Sequence, residues 1–249
     1  MIYFIGAGPG DPELLTIRGK NLLERCEVVI YAGSLVNRAV LQYAQRAIQF
    51  HNSAGLHLEA IVAIMEEAHR QGYSVARLHS GDPSIYGAIR EQIEELKKRH
   101  IPFEVVPGVS SFQAAAARLG RELTVPGVAQ TVILTRLGGR TPVPEKEQLR
   151  DLARHRATMV IFLSVDRLEQ VVQDLSLGYP PDTPAAVVHR VTYQDEEVLW
   201  GTLGDIVEKV HGRSLIRQSL ILVGEALGEQ FLPSCLYNAS FTHGFRKKP

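Results

Sequence analysis

Three short apolar runs in this chain each end in a tight turn of small residues, and that repetition constrains the fold more than any other feature. Ile2–Gly6 leads into Gly6-Ala7-Gly8-Pro9-Gly10-Asp11-Pro12. Residues 73–79 lead into Ser80-Gly81-Asp82-Pro83-Ser84-Ile85-Tyr86-Gly87, and Phe103–Val106 into Pro107-Gly108-Val109-Ser110-Ser111. Runs this short, bounded by glycine and proline and separated by longer amphipathic stretches, read as strands of an α/β protein. Strands of an open α/β sheet send their C-terminal ends to one rim, the usual place for a ligand. A single such turn is explained by capping alone. Three at successive strand ends predict a binding cleft.

The remaining pattern supplies the domain plan. Residues 27–31 read as a further strand, and helices are predicted over 12–25, 57–71, 84–99 and 110–119. In 57–71 the residues Leu58, Ile61, Val62, Ile64, Met65 and Ala68 form a helical stripe. In 84–99, Ile85, Ile89, Ile93 and Leu96 recur at near-helical spacing. The rhythm breaks between Gly120 and Gly127, around Pro126, which marks a domain boundary. The expected plan is an N-terminal α/β domain over 1–122, a C-terminal α/β domain over 123–228 and a tail over 229–249. In the second domain, 131–136, 158–164, 185–190, 197–203 and 219–224 read as strands, with helices at 145–154 and 167–175. The polar Tyr193-Gln194-Asp195-Glu196 makes a hairpin-like connection. The first sheet is therefore expected to be mostly parallel and the second mixed.

Composition removes several function classes. Lys and Arg together number 27, as do Asp and Glu, so no global field recruits nucleic acid or an anionic membrane. No run approaches the ~18 consecutive apolar residues of a membrane helix, and the first residues show no basic leader. Cys26 and Cys235 read as reduced, buried thiols. None of the 9 histidines forms an i, i+4 pair or a His-Glu-x-x-His motif, so no protein-held metal is expected. His79, at a strand end, reads as a packed residue. A soluble cytoplasmic protein is the expectation, with neither nucleic-acid nor membrane partners.

The first turn resists the two obvious nucleotide readings. A dinucleotide fingerprint needs glycine where Asp11 stands, and a P-loop needs Lys and Ser/Thr after its last glycine. Asp11 before Pro12 is an N-cap with proline at the first helical position. Its carboxylate would occupy the helix N-terminus that a pyrophosphate requires. The second turn repeats the Asp-Pro design at Asp82-Pro83. The implied ligand is polar and need not be anionic, and S-adenosylmethionine, whose methyl donor is a sulfonium cation, fits.

Taken in order, Gly6-Ala7-Gly8-Pro9-Gly10-Asp11-Pro12 with Leu14-Leu15-Thr16, Gly81-Asp82-Pro83 and Pro107-Gly108-Val109-Ser110-Ser111 resemble the tetrapyrrole (corrin/porphyrin) methylases. The resemblance continues through Val160-Ile161-Phe162-Leu163-Ser164, Pro184-Ala185-Ala186-Val187-Val188 and Trp200-Gly201-Thr202-Leu203. Tyr31-Ala32-Gly33-Ser34-Leu35-Val36, Leu236-Tyr237-Asn238 and the segment Ser240 to Arg246 resemble the branch that methylates carbon 11 of precorrin-4 or its cobalt complex in cobalamin biosynthesis. The resemblance implies a two-domain homodimer that binds S-adenosylmethionine, kinked, between its domains. It places cofactor contacts on Pro9, on Ser80, Gly81, Asp82, Ile85 and Tyr86, on Ser110 and Ser111, on Leu163, and near Ala186 and Val191. Some relatives carry Thr-Ala at the Ser110-Ser111 position and Gly at that of Val191.

The implied reaction is attack by an electron-rich ring carbon on the cofactor methyl, for which neither a metal nor a covalent enzyme intermediate is required. Pre-organisation of two reactants is worth about 7–11 kcal/mol, so positioning residues are expected rather than a triad. Asp11, Tyr31 and Ser34 are the candidates to orient the substrate, and no catalytic proton carrier is identified. The substrate's carboxylates call for basic partners, for which Arg38, Arg136, Arg140 and Arg246 are candidates. Cobalt, where present, arrives inside the substrate. The competing readings are a sister precorrin or uroporphyrinogen methylase, an RNA or diphthamide methylase on a related fold, and a nucleotide-binding protein without catalysis.

Overall fold

The computed structural model describes every residue except Ile216, Leu232, Cys235, Tyr237, Ala239 and residues 247–249. The expectations attached to Cys235 and Tyr237 lie outside the described residues. Backbone packing divides the chain into two units, Met1–Ala114 with Arg190–Glu196, and Ala115–His189 with Glu197–Pro249. Against the contiguous plan with a boundary at 122, this division falls inside the helix Ser111–Leu119 and returns one short segment to the first unit.

In the first unit, β1 (Ile2–Gly6), β2 (Val28–Tyr31), β3 (Gln49–Asn52), β4 (Val75–His79) and β5 (Phe103–Val106) form one sheet in the order β3-β2-β4-β1-β5. Every pairing in it is parallel. Alternate residues serve opposite faces. Ile5, Val29, Tyr31, Ala76 and Leu78 cluster with Leu22 and Leu23 of α1 (Ile17–Leu23). Ile2, Phe4, Val28, Ile30 and Val75 cluster with Ile61 and Met65 of α2 (Leu58–Arg70) and Leu96 of α3 (Ile89–Lys98). Covering both faces accounts for the nearly unbroken apolar strands, and each fully buried Ile, Leu or Phe contributes roughly 1.5–3 kcal/mol. The chain leaves β1 for β2, beyond β4, and leaves β4 for β5, beyond β1. These opposed connections make the β1/β4 boundary the switch point of the sheet. The helix α4 (Ser111–Leu119) follows β5.

Two predicted helices are shorter than expected. Residues 12–25 split into a 3-10 turn, Pro12–Leu14, and α1, because Leu15 is extended and Thr16 caps α1 by accepting the Gly19 N–H at 3.1 Å. Residues 84–88 are not helical, the turn at 83–86 being followed by irregular backbone: Tyr86 and Ala88 have φ of 53° and 49°, and Ala88 opens α3 without a side-chain cap. The strand β3 is absent from the sequence reading because three of its four residues are exposed and polarity hides its period.

The second unit holds β6 (Val132–Arg136), β7 (Thr158–Phe162), β8 (Pro184–His189), β9 (Glu197–Thr202) and β10 (Ser219–Val223) in the order β6-β7-β10-β8-β9. β6 and β7 are parallel and the other pairings antiparallel, so this sheet is mixed, as expected. Leu149 of α5 (Leu149–Leu152), Val171 and Leu175 of α6 (Leu168–Leu175) and Ile206 of α7 (Ile206–Val210) cluster with Met159, Ile161, Val187 and Ile221 of the sheet. The helix expected over 145–154 is broken, with α5 lying between 3-10 turns at Glu145–Glu147 and Ala153–His155. Among the described residues no helix is long and apolar enough to cross a membrane.

Candidate active site

The exits of β1, β4 and β5 meet through glycine. Gly8 and Gly81 exchange backbone hydrogen bonds, Gly8 N–H to Gly81 O at 3.3 Å and Gly81 N–H to Gly8 O at 2.8 Å. Their φ values of +76° and +64° lie in the left-handed region, where an L side chain is strained. At Gly6 and Gly108 the constraint is space. A Cβ on Gly6 would lie 2.5 Å from Gly108 Cα, and one on Gly108 only 2.3 Å from Gly81 O. Backbone therefore lines the switch point of the sheet, as close approach of a ligand requires.

Asp82 ties the second turn to the third. One carboxylate oxygen accepts the Ser84 N–H at 2.7 Å and the Ser84 hydroxyl, and the other accepts the Gly108 N–H at 2.8 Å. The sequence expectation of a helix cap at Asp82 is corrected here: the carboxylate caps a turn and bridges two strand exits. Burial works against its ionisation. The hydrogen bonds from the Ser84 hydroxyl and from the Gly108 and Ser84 amides outweigh that and hold the carboxyl below its ordinary value.

Several other expected cofactor residues stand on the same rim. Pro9 is buried between Gly8 and Gly10, Ser80 and Ile85 are half-buried, and Tyr86 is exposed at left-handed φ. Ser110 is buried, its N–H bonded to Gln113 Oε1 at 2.9 Å, and the half-buried Ser111 starts α4. Val191 is buried within the segment Arg190–Glu196, which packs with this unit. Leu163 and Ala186 belong to the second unit. Leu163 projects outward after β7 at φ 53°, 66% exposed, where the Ser164 hydroxyl donates to Phe162 O at 2.6 Å and accepts Leu137 N–H at 2.9 Å. A bulky residue held at positive φ is uncommon and such strain clusters at functional sites. Ala186 is fully buried in β8.

Of the substrate-orienting candidates, Asp11 is half-buried and caps the 3-10 turn by accepting the Glu13 N–H at 2.8 Å. Its own N–H donates to Thr192 Oγ1 at 2.9 Å. Ser34 is exposed in the turn after β2. The Tyr31 ring is buried in the core against α1, and its carbonyl accepts the Ser53 hydroxyl at 3.1 Å. Among the basic candidates, Arg136 donates to Thr141 O and Pro142 O, and Arg246 to Leu236 O and Asn238 O, while Arg38 and Arg140 are exposed.

Beneath the rim lies a polar network that the sequence reading does not contain. Arg77, 5% exposed on β4, donates to Ser53 Oγ at 3.0 Å and Gln92 Oε1 at 3.1 Å, and Gln92 in turn donates to Ala88 O at 3.2 Å. Burial pushes the Arg77 guanidinium down to about 10. His79 is buried beside Phe4, with ring centroids 5.9 Å apart, and its Nε2 has no partner among the described residues. Burial first, and the neighbouring Arg77 charge second, push its pKa down to about 3, so the ring is neutral. Only alternation on β4 hinted at this pair, since i and i+2 share a face. Among the described residues no group of three His, Cys, Asp or Glu side chains is placed to hold a metal ion.

A parallel sheet whose glycine exits are bridged by an aspartate, together with a mixed-sheet unit, defines a class of α/β protein. The family described as tetrapyrrole (corrin/porphyrin) methylases matches residues 1–207, and the chain belongs to that family. It is 52% identical over 248 residues to a cobalt-precorrin-4 C(11)-methyltransferase of Methanocaldococcus jannaschii, covering 99% of this chain and 96% of that one. It is 53% identical over 246 residues to a precorrin-4 C(11)-methyltransferase of Pseudomonas aeruginosa, covering 98% of each. A crystal structure of a cobalt precorrin-4 methyltransferase of cobalamin biosynthesis matches with a TM-score of 0.88 at 44% identity, over 91% of this chain and 95% of that one. A uroporphyrin-III C-methyltransferase of Thermus thermophilus, solved with S-adenosylhomocysteine, matches with a TM-score of 0.75 at 31% identity, over 91% of this chain and 92% of that one.

Proposed function

We propose that this chain is the S-adenosylmethionine-dependent methyltransferase that acts at carbon 11 of precorrin-4 or cobalt-precorrin-4 in cobalamin biosynthesis. The observation that carries this reading is near-complete coverage at about half identity by relatives bearing that activity. The homologous structure with S-adenosylhomocysteine supports the methyl donor. The enzyme works in the cytoplasm, as the homodimer that the family resemblance implies.

The rim suits a cationic donor without phosphates. The ionised Asp82 stands at its centre, Asp11 caps the first turn, and Thr16 already caps α1, so neither helical start after β1 is open to an anion. When bound, S-adenosylmethionine supplies an electrophilic methyl on sulfur. Ser80, Gly81, Asp82, Ile85 and Tyr86, with Pro9, Ser110, Ser111 and Val191, are the first unit's residues that hold it. Asp11, Ser34 and the turn that Tyr31 anchors orient the tetrapyrrole. The chain contributes mainly alignment, the contribution expected where positioning dominates catalysis.

Calorimetry should show stoichiometric binding of S-adenosylmethionine, with NAD and ATP bound weakly or not at all. Incubation with precorrin-4 and, separately, its cobalt complex should add one methyl at carbon 11, and the faster substrate identifies the physiological form. Methylation at another ring carbon overturns the assignment in favour of a sister enzyme.

A further inference from the structure

The connection between β8 and β9, Arg190–Glu196, is built into the first unit rather than extending the hairpin it joins. Thr192 Oγ1 accepts the Asp11 N–H at 2.9 Å, and the Tyr193 hydroxyl donates to Leu35 O at 3.0 Å. The Tyr193 ring lies so close to the glycine turn that a Cβ on Gly10 would fall 2.4 Å from its Cδ2. From the other side, Asn37 Nδ2 donates to Gly10 O at 2.9 Å. The turn at residues 6–11 is thus held between the loop after β2 and this connection.

The connection keeps that shape against backbone preference. Arg190 and Thr192 sit at φ of 46° and 68°, and a β-branched residue there is a genuine outlier that persists only where its surroundings over-determine it. Here they do. The Thr192 N–H donates to the Glu196 carboxylate at 2.7 Å, and Arg190 pairs with Asp195 at 2.8 Å while its guanidinium lies 4.4 Å from the Tyr193 ring centroid. The outcome at Asp11 is specific. Its N–H is fixed by Thr192 and one carboxylate oxygen by Glu13, while the other oxygen has no partner among the described residues.

We propose that Thr192 and Tyr193 are positioning residues for methyl transfer, clamping the turn that carries Asp11 and the loop that carries Ser34 so that the free Asp11 oxygen meets the tetrapyrrole at a fixed place. This rests on the substrate role proposed above for Asp11 and Ser34. The clamp acts on the tetrapyrrole side and leaves the donor's contacts at Ser80, Gly81 and Asp82 intact.

The test uses the full-length enzyme with Thr192→Val, which keeps the branched shape and removes the acceptor, Thr192→Ser, which keeps the hydroxyl, and Tyr193→Phe. For Thr192→Val, kcat/KM for the tetrapyrrole should fall about tenfold, mostly through KM, as expected for loss of one orienting hydrogen bond. The calorimetric Kd for S-adenosylmethionine should stay within about twofold. Thr192→Ser should restore most of the loss, and Tyr193→Phe should show a smaller effect of the same kind. Hydrogen–deuterium exchange at the Asp11 amide, which needs no turnover, should accelerate in Thr192→Val and return towards wild type in Thr192→Ser. Unchanged exchange, or an active Thr192→Val enzyme with wild-type KM and kcat, overturns the clamp. Wild-type protein inactive on both precorrin-4 forms overturns the functional reading instead, and the exchange measurement still decides the clamp.

Discussion

Gly108→Ala tests how the three strand exits are closed. The added Cβ would lie 2.3 Å from Gly81 O, 2.7 Å from Gly6 Cα and 2.9 Å from Gly6 C, all backbone atoms. Ordinary contact begins near 3.4 Å, so something must retreat by about 1 Å (3.4 − 2.3). Gly81 cannot retreat without breaking its bond to the Gly8 N–H, already 3.3 Å long, and Gly108 cannot without leaving Asp82 Oδ2. Overpacking of this kind costs typically about 1–3 kcal/mol, and a lost hydrogen bond to a charged group about 1.5–3 kcal/mol. Since one movement relieves part of the other, a net loss of about 3 kcal/mol is expected. The same shift displaces Gly81 and Asp82, so donor affinity should fall at least ~10-fold, each factor of ten being ~1.4 kcal/mol. Gly55→Ala is the control: nothing lies within 4 Å of its Cβ and its φ is not left-handed. That variant should change stability by no more than about 0.5–1 kcal/mol, favourably if at all. Urea unfolding and calorimetric titration read both quantities. A Gly108→Ala protein as stable as Gly55→Ala, with undiminished affinity, refutes the steric argument.

Two further predictions concern the buried network under the rim. For His79 the folded pKa of about 3 lies below the ordinary 6.5, so the unfolded chain binds the extra proton between those values. Stability is therefore lost as pH falls below about 6.5, with a limiting slope of about 1.4 kcal/mol per pH unit from this group. Urea unfolding of His79→Gln should be less steep than wild type between pH 7 and pH 4, and parallel curves refute the assignment. Arg77→Met leaves Ser53 Oγ and Gln92 Oε1 without their donor, costing about 1–3 kcal/mol by urea unfolding. The double variant with Gln92→Leu should recover part of that loss, and strict additivity in the double-mutant cycle argues against the network.

The strands were readable because both faces of the first sheet are covered, so Ile2–Gly6 and Phe103–Val106 appear with their observed bounds. Glycine and Asp-Pro pairs marked the right exits, since close backbone approach leaves a local signature. Their consequences were less legible. Asp11-Pro12 and Asp82-Pro83 both read as helix starts; Asp11 does cap the short 3-10 helix Pro12–Leu14, but the α-helices begin only at Ile17 and Ile89, because an aspartate that bonds two residues onward serves a turn as readily as a helix. The second anchor of Asp82, the Gly108 amide, is 26 positions away and has no local signal. The roles of Arg77 and Thr192 were hidden for the same reason: their partners are fixed by sheet order and by a returning segment, neither of which periodicity encodes.

That returning segment has a consequence for how the molecule is made. The chain passes from one unit to the other after Ala114, comes back at Arg190 and leaves again after Glu196. No single cut separates the units intact, and a fragment ending at Ala114 lacks the residues that hold Asp11 and Leu35. During synthesis from the N-terminus, the strands of the first sheet emerge early, whereas the loops that carry Asp11 and Leu35 acquire their last supports only after most of the second unit's sequence has been translated. These loops therefore gain their supports later in synthesis than the sheet from which they extend.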